Sequence, residues 1–116
     1  MKDNLKILIT VLFAILLSGC GSPEDRASDV IADFCDAYID EDYEELKELT
    51  TDHQWINQTA NSRKMFGFNP DQITCGIHIK EINEKKFSFI IKDEDFRFIH
   101  LAEEVDGKFK VTGIKM

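Results

Sequence analysis

At Ile73 the spacing of apolar side chains changes from every third or fourth residue to every second. No other feature of this 116-residue chain constrains its fold as much. Upstream, Ala27, Val30, Ile31, Phe34 and Tyr38 recur at helical spacing and share one face at about 100° per residue. Asp25, Asp29, Asp33, Asp36 and Asp40 fall on the opposite face. Ser22-Pro23-Glu24-Asp25 reads as the start of this helix: a capping hydroxyl, a proline suited to the first turn, and two acids at the positive helix end. Solvation accounts for the acidic stripe; binding of a cation or a basic partner is the alternative. Cys35 lies at the margin of the apolar face.

Asp40-Glu41-Asp42 interrupts the pattern, and Tyr43, Leu46 and Leu49 mark a second, short helix. Thr50-Thr51-Asp52 is another cap signal, and Trp55 and Ile56 suggest a third helical segment to about Ala60. Residues 61–72, with Gly67 and Asn69-Pro70, read as a loop. Met65, Phe66 and Phe68 within it are expected to dock on the core, with a ligand lid as the alternative. From Ile73 the period is two. Ile73, Cys75, Ile77 and Ile79 alternate with Thr74, Gly76, His78 and Lys80, then Phe87, Phe89 and Ile91 alternate in turn. Turns at 83–85 and 92–95 and the hairpin dipeptide Asp106-Gly107 separate four strands, the third over 96–104 and the last to Ile114. The expectation is an α+β domain: N-terminal helices packed on an antiparallel four-stranded meander.

The N-terminus is a different kind of segment. Lys2 and Lys6 precede an apolar run, Ile7 to Leu17, interrupted only by Thr10. Eleven residues at about 1.5 Å each fall short of a hydrocarbon core of roughly 30 Å, so the run has the size of a signal-peptide core and not of a spanning helix. Leu17-Ser18-Gly19-Cys20 follows, and it resembles the lipobox of bacterial lipoproteins. The resemblance implies that residues 1–19 are a signal peptide. Cys20 would then carry a thioether-linked diacylglycerol, and residues 20–116 would be a single domain held to a membrane by its lipid. One acyl chain binds marginally and two or three hold stably. Gly21 follows the Cys where an Asp would favour inner-membrane retention, so the outer membrane, facing the periplasm, is the expected location.

Residues 1–19 carry two lysines and one aspartate, so their removal takes the formal charge from −8 to −9. A nucleic-acid partner is disfavoured, because phosphate binding needs a basic surface. The charge is lopsided: twelve acids and two bases lie between Glu24 and Asp52, against nine acids and ten bases from His53 onward. Cys35 and Cys75 remain once Cys20 is lipidated. An envelope location permits a disulfide between them; the alternative is two buried thiols. His53, His78 and His100 show no metal-ligand spacing, there is no Cys-x-x-Cys, and no Gly-x-Ser-x-Gly elbow surrounds a serine. No metal site or cofactor is expected.

The stretch from Phe34 to Thr50, FCDAYIDEDYEELKELT, has an aromatic in the first helix, a break containing Asp, another aromatic, and a Leu-rich short helix ending in Thr. With the order of elements it resembles the nuclear-transport-factor-2-like superfamily and the related cystatin-like architecture. That resemblance implies a cone in which a curved sheet wraps a long helix, with a pocket at its mouth. It carries over no catalytic residue. Tyr38, Trp55, Phe96, Phe98 and His100 are the candidate pocket lining. His100 shares an alternating face with Phe96 and Phe98, where a hydrogen-bonded core histidine is the commoner role. The expected function is non-enzymatic binding of an envelope protein partner or a small apolar ligand. The alternative is a small hydrolase or isomerase, which a water-shielded His100 beside a carboxylate would favour.

Overall fold

A computed structural model describes residues 21–115. The expected signal segment, residues 1–19, and Cys20 lie outside the described residues. Helix α1 (Pro23–Asp40) is followed by α2 (Tyr43–Leu49), α3 (His53–Phe66), a 3-10 turn (Pro70–Gln72) and strands β1 (Ile73–Asn83), β2 (Lys86–Asp93), β3 (Phe96–Val105) and β4 (Lys108–Lys115). The strands pair antiparallel in the order β1-β2-β3-β4, an open meander with the helices packed on one face. This is the α+β fold expected from the change of period.

Local chemistry sets each boundary. Ser22 caps α1 by accepting from Asp25 N, and the helix ends at Glu41 in the left-handed conformation. Asp42 and Asp52 cap α2 and α3 in the same way. α3 continues six residues beyond its expected end at Ala60. Gly67 terminates it, with φ +82° and its N–H donating to the Arg63 carbonyl at 2.8 Å. Polar Asn61 and Ser62, read as the start of a loop, are exposed on this helix and do not break it.

The apolar face of α1 buries Ala27, Ile31, Phe34 and Tyr38 against Phe87, Phe89 and Ile91 of β2, Ala102 of β3, and Phe109 and Val111 of β4. Leu46 and Ile56 add α2 and α3 to the same core. Asp25, Asp29, Asp33, Asp36 and Asp40 are all exposed. Buried Thr50 ties the α2–α3 link to the far edge of the sheet: its hydroxyl donates to the Val111 carbonyl at 2.7 Å, and Thr51 N donates to the same oxygen.

A disulfide joins Cys35 on α1 to Cys75 on β1, with Cα atoms 5.6 Å apart. Beside it the expected alternation of β1 fails. The register shifts at Gly76 (φ +75°) and again at His78 (φ +53°), so Ile79 is 40% exposed. The first shift has a visible reason. A Cβ on Gly76 would stand 3.3 Å from the Cys35 sulfur and 3.4 Å from Ile31, so only glycine lets the strand approach the helix here.

Candidate functional site

The C-terminal part of α1, the inward side of α3 and the adjoining ends of β2 and β3 enclose a pocket of about 690 Å³. That volume falls in the usual range for small-molecule sites. Tyr38 comes from α1. Trp55, Gln58, Thr59, Ser62 and Arg63 come from α3 at helical spacing, and Phe68 and Asn69 from the loop after it. Asp93 and Phe98 close the sheet side, with His100 in the wall. Four of the five candidates from the sequence, Tyr38, Trp55, Phe98 and His100, therefore meet here.

Phe96 does not line the pocket. It shares the face of Phe98 and His100, as the alternation implies, but it is the first residue of β3, beyond the reach of the helical layer, and stays 67% exposed. Phe96 instead stacks on Phe98 at 6.5 Å. Phe68 packs against the core, but Met65 and Phe66 do not dock: they are 75% and 82% exposed on the last turn of α3. Phe66 stands at the pocket instead.

Two polar groups are built into aromatic walls. His100 is 2% exposed, with its ring 5.4 Å from that of Phe89, 5.3 Å from that of Trp55 and 6.0 Å from that of Phe34. Burial alone lowers its pKa from 6.5 to about 4, so the ring is neutral at pH 7. Its Nδ1 is buried without a hydrogen-bond partner among the described residues, unlike the bonded core histidine expected. Arg63 donates from Nη1 to the Tyr38 carbonyl at 2.6 Å. Its Cζ lies 3.6 Å from the ring centre of Phe68 and 4.2 Å from that of Tyr38. Nη2 is buried and has no hydrogen-bond partner among the described residues. Burial raises the Tyr38 phenol, an effect that the Arg63 charge opposes.

Sequence reasoning missed Arg63, Thr59, Ser62 and Asp93. Had α3 been extended to Gly67, the face of Trp55 would have named Thr59, Ser62 and Arg63 at i+4, i+7 and i+8. Among the described residues no cluster of His, Cys, Asp or Glu could hold a metal ion, and no helix is long and apolar enough to cross a membrane. Compared with known protein families, characterised proteins and solved structures, the chain gives no match. The class defined by fold and site is thus an α+β helix-on-sheet domain with an aromatic pocket that holds an arginine and a neutral histidine.

Proposed function

We propose that this chain is a lipid-anchored envelope protein, tethered through Cys20, whose helix–sheet pocket binds a small, largely apolar ligand without transforming it. The observation that carries the binding reading is the pocket itself. It is lined by Tyr38, Trp55, Phe68 and Phe98, yet contains buried polar atoms on Arg63 and His100 that have no partner among the described residues. Aromatic walls with a few placed polar groups suit ligand orientation. The cone of the nuclear-transport-factor-2-like superfamily is the architecture proposed for it, with the pocket at the mouth.

Catalysis by His100 is less well supported. A general base needs a partner that orients it, and only burial acts on the His100 pKa. An interaction through the acidic face of α1 is the rival binding mode. Affinity capture of the lipidated protein from its own membranes, with mass spectrometry of the small molecules released on denaturation, separates the two. Thr59→Trp, which fills the pocket, should empty the capture. Asp29→Asn, Asp33→Asn and Asp36→Asn combined should leave it unchanged. The opposite pattern would move the function to the acidic face.

A further inference from the structure

The pocket's unpartnered polar atoms specify more than binding, given the ligand-binding role proposed above. Phe68 and Tyr38 stack against the Arg63 guanidinium, and its Nη1 is already engaged by the Tyr38 carbonyl. Nη2 is left without an acceptor among the described residues. A guanidinium does not shed its proton, and a buried donor without an acceptor costs free energy. With rings against its faces, the edge that carries Nη2 is what remains to meet a ligand, the approach by which a guanidinium receives a carboxylate.

His100 adds a second, uncharged contact. Its side chain is buried, it lies in the same wall, and its Nδ1 also lacks a partner among the described residues. The remaining surface is largely ring: Tyr38, Trp55 and Phe98. Asp93 is the acid in the lining, and its charge reaches Tyr38, whose phenol it helps to raise. A second negative charge on a ligand would be repelled by it, so one charge suits the pocket better than two.

We infer that the pocket takes a flat, largely apolar monocarboxylate, held edge-on by Arg63 with its ring system against Tyr38, Trp55 and Phe98.

Calorimetry on the full chain in phosphatidylcholine nanodiscs, with empty nanodiscs as the blank, tests this with three probes: 2-naphthoate, the neutral 2-naphthamide and 2-naphthyl phosphate. The acid should bind about tenfold tighter than the amide, the scale of one charge-assisted contact, and tighter than the phosphate. Arg63→Gln should bring acid and amide to within about twofold of each other. Should that variant fail to fold, the ratio in the unaltered protein still decides. Equal binding of acid and amide, or a preference that survives Arg63→Gln, overturns the carboxylate assignment and leaves the pocket a binding site. Tightest binding of the phosphate overturns the single-charge assignment. Binding of none of the three overturns both the inference and the binding role beneath it.

Discussion

His100 is the residue at which fold and site make opposing demands. The core needs a neutral ring between Phe89, Trp55 and Phe34, whereas the unfolded chain accepts a proton near pH 6.5. Because the folded pKa is the lower one, the unfolded state binds the proton first as pH falls. The stability due to the neutral ring is complete above pH 6.5, declines through the window from 6.5 to about 4, and levels off below it. Between pH 7 and 4.5 the loss from this residue is about 2 to 3 kcal/mol. Denaturant midpoints of the protein and of His100→Gln should therefore diverge over that range, with the histidine form falling further on acidification. Parallel lines would mean that the ring is hydrated in the fold. At the same scale the chain disclosed its aromatics but not its arginine: Phe34, Tyr38 and Trp55 stand out by size and spacing. Arg63 looks like any surface cation until Phe68 and Tyr38 are seen to enclose it.

Among the elements, α1 and β1 are joined covalently. The Cys35–Cys75 bond closes a sequence separation of 40 residues. A loop of that length stabilises by about 4 kcal/mol in the chain-entropy model. Thiol labelling of the denatured, unreduced protein should find neither cysteine free, and Cys35→Ser with Cys75→Ser should lower the unfolding free energy by about 2 to 4 kcal/mol. A free pair, or a double variant as stable as the parent, would contradict the crosslink's role. α1 was legible because caps, period and acidic face all agree. β2 and the Asp106-Gly107 hairpin were legible because alternation and turn chemistry agree, with Asp106 and Gly107 both at positive φ. β1 was not legible beyond Cys75. Its departure at Gly76 answers to a contact with α1 forty residues away, and a local period carries no trace of that. The length of α3 was missed for a different reason: its exposed polar side was taken for a loop, although Gly67 is a helix stop.

For the whole molecule, the two faces differ in charge, and the proposed tether would set an orientation. The exposed side of α1 is acidic, whereas the uncovered face of the sheet carries Lys80, Lys86, Lys92, Arg97 and Lys110 around Ile77, Ile90 and Ile99. Under the proposed anchoring, only Gly21 and Ser22 separate the lipid-bearing Cys20 from α1, a reach of about 7 Å. The start of α1 then sits at the headgroups. Tyr38 lies roughly 22 Å further along the helix, so with α1 upright on the membrane the pocket would be at the membrane-distal end and fill from the aqueous side. Cys20→Ser should abolish incorporation of a palmitate analogue during growth; equal labelling of the variant would remove the anchor and with it this orientation. The pocket itself can be watched through the chain's single tryptophan, Trp55, which lies in its wall. Substituting 5-fluorotryptophan during expression gives one fluorine resonance at that position. If the pocket is a binding site for flat apolar molecules, titration with 2-naphthoate or 2-naphthamide will displace this resonance saturably. A resonance that neither probe moves, up to the limit of their solubility, would show that the pocket does not bind such molecules.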